Sequence, residues 1–220
     1  MNLKFYKISF ENFYPQGKNI KKYIYHFNAF LPKKLEYNKN DIFRKFDITT
    51  NYFYCSNQFW IHKNHLVLFE AVKLVKTKIK DILLICSGNT TDYRNSDYFD
   101  DLLKFIHNND LDSNIKIVGL IDRNDQLGLM KESIGIIQPS LFEGWNTSIE
   151  EAKAMGKLLI LSDIEVHKEQ ASSHSIFFQK NSPTSLADII IEILTDNTNI
   201  KIPEENNNYS PNLNFDFLLK

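Results

Sequence analysis

Short apolar runs alternating with longer amphipathic segments between Tyr52 and Thr195 predict an α/β fold, a doubly wound parallel sheet. Three observations carry that reading. The strand-like runs are apolar throughout rather than alternating, as in strands covered on both faces. Helix-like segments separate them and supply the crossovers that parallel strands need. Four of the seven glycines, Gly88, Gly119, Gly144 and Gly156, fall at or just beyond segment ends.

Tyr52–Ser56 is short and aromatic and is expected to be a strand. His65–Lys76 is expected to be a helix with Leu66, Phe69, Val72 and Val75 on one face. Asp81–Ser87 is an apolar strand run stopped by Gly88. Tyr98–His107 reads as a helix, Ile115–Val118 as a strand and Gln126–Glu132 as a short helix. Ile134–Gln138 is a strand ended by Pro139, Ser148–Met155 a helix closed by Gly156, and Leu158–Leu161 a strand. Leu186–Leu194 closes the series as a helix, with Ser182 as its N-cap and Pro183 in its first turn. Right-handed crossovers put the carboxyl ends of all these strands, and the ligand crevice, on one edge.

Composition limits the function classes. The 220 residues are 43% hydrophobic and 24% charged, ordinary values for a folded chain. Twenty-six Lys and Arg against 27 Asp and Glu give a net charge of −1, so no global basic excess favours nucleic acid. Two cysteines cannot make a disulfide framework, which suits a reducing, cytoplasmic setting. No apolar run has the length of a membrane span, and the start Met1-Asn-Leu-Lys-Phe-Tyr does not read as a signal peptide. Residues 51–196 are read as the ligand-binding domain, 1–50 as a linker or the remnant of a preceding domain, and 197–220 as a polar linker and tail in which Phe215–Leu218 docks back.

The stretch Pro139-Ser-Leu-Phe-Glu-Gly-Trp-Asn-Thr-Ser-Ile-Glu-Glu-Ala-Lys-Ala-Met-Gly156 concentrates the chemistry. Thr147 and Glu150 have capping-box spacing, so a helix is expected to begin at Thr147. The N–H groups near Asn146–Ile149 would then face the crevice with the positive end of the helix dipole, an anion site. Glu143 and Glu151 flank it, as suits a ligand carrying both phosphate and hydroxyls. Acidic residues favour helix starts in any case, so spacing alone leaves a solvated helix start as an equal reading.

That stretch, followed by "LLILSD", resembles the donor-binding half of a GT-B glycosyltransferase of the retaining family 4, also known as glycosyl transferases group 1. The family's Glu-x7-Glu motif matches Glu143 and Glu151. "FYCSNQFWIHKNHLVLFEAVKLV" resembles its first strand, phosphate loop and first helix, and the resemblance covers about residues 50–195.

The resemblance implies a Rossmann-like domain that forms the C-terminal half of a GT-B architecture, with the N-terminal half missing. It implies transfer from a nucleotide-diphosphate sugar to a saccharide or lipid-linked acceptor, in polysaccharide biosynthesis. It makes Glu143 and Lys63 the catalytic candidates, with Lys63 neutralising the leaving diphosphate. One such preorganised donor is worth roughly 2.7–4 kcal/mol. Glu151 would bind the ribose, Glu143 would contact the transferred sugar, and the loop Gly144, Trp145, Asn146 and Thr147 would hold the diphosphate. Glu169 stands near a further family glutamate.

No cofactor and no metal are expected, the nucleotide sugar being a substrate. The implied partners are a separate N-terminal acceptor-binding half and peripheral contact with the inner membrane face. Asn57 stands where the family carries an arginine; its amide can donate to phosphate without charge, leaving Lys63 as the principal cation, with Lys168 or Arg123 as helpers. A non-catalytic nucleotide-sugar-binding module, or a truncated inactive fragment, is the alternative.

Other signals are weaker. Asp110 and Asp112 read as a solvated turn, and Cys55 and Cys86 as buried strand residues. His62 and His65 read as loop surface or phosphate neighbours, and Trp60 and Trp145 as pocket or core.

Overall fold

The computed structural model describes residues 12–17, 29, 31–32 and 35–195. The expected tail at 197–220 lies outside the described residues, as does half of 1–50.

The elements run α1 (Lys39–Lys45), β1 (Phe53–Ser56), α2 (His65–Lys76), β2 (Leu84–Ser87), α3 (Tyr98–Asn108), β3 (Ile115–Gly119), α4 (Arg123–Glu132), β4 (Gly135–Gln138), α5 (Thr147–Ala154), β5 (Leu158–Ser162), α6 (Glu165–Gln170), β6 (Ser175–Phe178) and α7 (Pro183–Thr195). The six strands form one sheet, all paired in parallel, in the order β3-β2-β1-β4-β5-β6. The Rossmann-like α/β fold expected from the sequence is thus present. The winding direction reverses between β1 and β4, and ligands of such sheets bind outside the strand ends at that reversal.

Strand alternation divides the core. Phe53 and Cys55 of β1, with Leu84 and Cys86 of β2, meet Leu68, Phe69 and Val72 of α2 and Leu186 and Ile190 of α7 on one face. Tyr52, Tyr54, Ile85 and Leu159 meet Leu127 of α4 and Ile149 of α5 on the other. Cys55 and Cys86 are register partners, buried and free. Ser182 caps α7 by accepting from the Ser185 N–H at 3.1 Å.

One expectation is corrected. Leu66 is 40% exposed. The stripe 66, 69, 72, 75 has period three, which slides about 60° per step around a 3.6-residue helix; the buried face follows His65, Leu68, Phe69, Val72 and Val75 instead. Upstream, α1 places Ile42 in the second core cluster together with Ile48. It packs on α4, where Gly128 leaves room for the Ile42 side chain.

Among the described residues no helix is long and apolar enough to cross a membrane.

Gly88 closes β2 at φ +148°, and a Cβ there would fall 2.0 Å from the Asn57 carbonyl oxygen. Gly88→Ala should therefore lower unfolding stability by about 2 kcal/mol or more. Urea denaturation checks this; an unchanged midpoint would show that the contact can relax freely.

Candidate functional site

Two loops at the β1/β4 reversal build the site. After β1, Asn57 and Gln58 lead into a 3-10 turn at Ile61–Lys63, and Asn64 at φ 56° redirects the chain into α2. After β4, residues 139–146 lead into α5. The Leu141 N–H donates to the His62 carbonyl at 2.8 Å, which fastens one loop to the other. Between them lies a cavity of about 300 Å³, walled by Ser56, Asn57, Gln58 and Lys63 from the first loop and by Glu143 and Trp145–Ser148 from the second. Ser87, Gly88, Leu120, Ile121 and Gln126 complete it.

Lys63 Nζ donates to Glu143 Oε1 at 2.5 Å, with both side chains largely buried, 13% and 8% exposed. The same Oε1 accepts from Ser140 Oγ at 2.7 Å and Asn146 Nδ2 at 3.1 Å. Three donors on one oxygen fix the carboxylate and leave Oε2 outside this cluster.

The helix begins at Thr147 as expected, but its cap differs from the expected capping box. Asn146 is the N-cap, its Oδ1 accepting from the Ile149 N–H at 3.3 Å. Glu150 turns inward to accept from Gln170 Nε2 at 2.9 Å and from Lys153. Asparagine in extended backbone reaches the third N–H as well as threonine does, and it takes the cap one residue earlier. Asn146 N–H is also used, by Gln170 Oε1 at 3.0 Å. The expected fan of free N–H groups over Asn146–Ile149 therefore narrows to Thr147 and Ser148. Both line the cavity, and neither has a carbonyl one turn back within the helix.

Asn57 lines the cavity, but its amide is turned inward: Nδ2 donates to Gln138 Oε1 at 2.7 Å and lies 3.7 Å from Cys55 Sγ. The expectation that this amide serves phosphate is corrected, because both of its hydrogens face protein. Among the lining residues Lys63 is the cation.

Glu151 and Glu169 do not line the cavity, and neither does Gly144. Glu151 Oε1 accepts from Arg123 at 2.6 Å, and Arg123 also donates to Gln126 Oε1 at 3.0 Å. Gln126, on the cavity wall, donates to Ser56 Oγ at 2.6 Å. Glu143 and Glu151 thus sit on either side of the α5 start, Glu143 at the wall and Glu151 joined to it through Arg123 and Gln126. Both carboxyl oxygens of Glu169 are buried. Lys168 is half exposed and pairs with Glu165, away from the cavity. His65 is fully buried, stacked on Phe59 with centroids 4.2 Å apart, and is neither loop surface nor cavity wall. Trp145 lines the cavity, whereas Trp60 carries the Arg94 guanidinium over its ring at 4.7 Å.

Sequence reasoning missed Gln138, Gln126 and His167. Gln138 offered a signal, a lone amide in the apolar run Gly135-Ile-Ile-Gln138. His167 supports Glu143 from behind. Ser162 Oγ donates to the Ser140 carbonyl at 2.6 Å, so its hydrogen is spent and it must accept from His167 Nδ1 at 3.0 Å. The proton therefore sits on Nδ1, which also faces the Ser162 carbonyl at 3.1 Å. Burial lowers His167 to about 4, the Ser162 carbonyl bond opposing this only in part. Among the described residues no group of three or more His, Cys, Asp or Glu is arranged to hold a metal ion.

Residues 38–212 match the family model described as "Glycosyl transferases group 1". No curated protein matches the sequence. Among solved structures, the fold is similar to HepE of Anabaena, crystallised with UDP and glucose, at TM-score 0.64 and 18% identity over 72% of this chain and 42% of HepE. It is similar to a glycosyltransferase of Rickettsia africae at TM-score 0.62 and 26% identity, over 71% of this chain and 41% of that one. The C-terminal domain of LpcC, a group 1 family protein of Francisella tularensis, aligns at TM-score 0.63 and 20% identity over 72% of this chain and 83% of that domain. The chain thus spans about two fifths of the first two proteins and most of the isolated domain.

His167 gives the site a pH signature. Its proton is bound more weakly in the folded chain than the ordinary value of 6.5, so the unfolded chain takes up more protons between those limits. Stability should hold above pH 6.5 and fall by about 3 kcal/mol as pH drops toward 4. Urea midpoints across that range check the slope. His167→Asn should flatten it, and an equal slope in the variant would reassign the effect to other groups.

Proposed function

We propose that this chain, which belongs to the glycosyl transferases group 1 family, binds a nucleoside-diphosphate sugar in the β1/β4 cavity for retaining transfer to a saccharide or lipid-linked acceptor. The observation that carries the reading is the buried Lys63–Glu143 pair beside the open start of α5. An ammonium and oriented N–H groups face one cavity with a carboxylate, which is what a ligand with both diphosphate and sugar hydroxyls requires.

In this reading the Thr147 and Ser148 N–H groups take phosphate oxygens at the positive end of α5. Lys63 meets the charge that grows on the leaving diphosphate. Such stabilisation in a water-poor site supplies the largest share of the rate in reactions of this kind. Glu143, fixed through Oε1, presents Oε2 to the sugar near the reacting carbon. Glu151 accepts from the ribose hydroxyls, displacing or sharing Arg123. Glu169 serves the sugar from α6, with Gly144, Trp145 and Asn146 shaping the wall. No metal ion or cofactor enters this reading. The acceptor-binding half is a further part of the proposal, as are cytoplasmic location and contact with a membrane face.

Calorimetric titration of the full chain with UDP, GDP and ADP tests the site. At least one should bind. Lys63→Ala should weaken it by about tenfold or more, the loss of one charged hydrogen bond. Glu151→Gln, which keeps an acceptor, should weaken it less. Tight binding that neither substitution changes would overturn the assignment. Binding without transfer from UDP-glucose, GDP-mannose or ADP-glucose, even with an acceptor half supplied, would favour a non-catalytic binding module.

A further inference from the structure

We infer that Gln138 is a positioning residue of the donor site, one acceptor oxygen shared by the wall after β1 and the wall before α5. The inference rests on the nucleotide-sugar reading above and adds a residue to which the sequence analysis assigns no role.

Gln138 is the last residue of β4 and is fully buried. Its Oε1 accepts from Asn57 Nδ2 at 2.7 Å and from Asn146 Nδ2 at 3.0 Å. Asn57 belongs to the first loop and Asn146 to the second. The amide orientation follows from the neighbours. Asn146 Oδ1 accepts from the Ile149 N–H and its Nδ2 also donates to Glu143 Oε1, so Asn146 cannot be reversed. Gln138 must therefore offer it oxygen. The consequence is visible on the other side of the same amide: Gln138 Nε2 is buried without a hydrogen-bond partner among the described residues. A buried amide that leaves its donor unpaired calls for an explanation. Here the oxygen holds two loops at once, and no rotation can pair the nitrogen without releasing them.

Through Asn146 the same contact reaches the helix cap and the Glu143 carboxylate. Through Asn57 it fixes the residue whose carbonyl packs against Gly88. Gln138 does not line the cavity, so its effect is transmitted by the two asparagines.

The test uses the full chain and calorimetry with UDP, GDP and ADP. Gln138→Leu removes the acceptor and should weaken binding of whichever nucleotide the wild type takes by about tenfold. Gln138→Glu keeps an oxygen facing both asparagines and should stay within about threefold of wild type. Gln138→Leu added to the Asn57→Ala, Asn146→Ala pair should bind within about twofold of that pair alone, because Gln138 acts through those two residues. Losses that multiply, or a leucine variant that binds like wild type, would overturn the inference. If the wild type binds none of the three nucleotides, the donor reading fails. Gln138 is then judged by NMR of the wild-type Asn57 and Asn146 side-chain amides, a readout that also serves if the leucine variant does not fold. Slow hydrogen exchange at both is expected, and fast exchange at either would overturn the tie.

Discussion

A parallel sheet wound outward in both directions from a central strand pair must leave the carboxyl ends of that pair uncovered. Every crossover from β1 leads away on one side, and every crossover from β4 leads away on the other. The gap between them is therefore a product of topology, present before any side chain is chosen. What the sequence decides is how the two loops bordering the gap are held, since apart from Phe59 of the first loop neither belongs to the apolar core. Here they are held by polar contacts: one backbone bond from Leu141 to His62, one shared amide at Gln138, and the Lys63–Glu143 pair.

Those contacts form a continuous set. His167 fixes Ser162, Ser162 holds the Ser140 carbonyl, and the Ser140 hydroxyl donates to Glu143. Gln170 reaches from α6 to both Asn146 and Glu150. Buried polar groups are costly unless paired, and a network whose members satisfy one another has few alternative arrangements. The loop before α5 is thus specified by α6 behind it as firmly as by the strand that feeds it. This explains why so short a helix carries so many buried polar residues.

Much of this was legible in the sequence, for reasons that differ by residue. The strand and helix order followed from apolar periodicity, because burial on both faces erases alternation in the strands. The partnership of Lys63 with Glu143 could not be read from spacing, since 80 positions separate them; it came from family resemblance, which named both for one site without giving their distance. The cap at Asn146 was missed because Asn146, Thr147 and Ser148 are all competent caps, and only the backbone angle chooses among them. Asn57 was misread for a related reason. An exposed loop amide is free to meet phosphate, but whether it faces cavity or protein depends on Gln138, a residue hidden inside a strand. The helix Lys39–Lys45 left too short a stripe to register, and the edge strand Ser175–Phe178 has only one fully buried residue, Phe178.

The inward turn of Asn57 has an electrostatic outcome. With Lys63 compensated by Glu143, the cavity wall carries almost no net formal charge, and its pull on an anion comes from oriented dipoles and short hydrogen bonds. Dipole fields fade within a few ångströms, so such a wall gathers little ligand from a distance and depends little on the ionic strength outside. Under the proposed reading, recognition becomes a matter of fit at contact, in which a pyrophosphate of the right shape is distinguished from other polyanions by geometry.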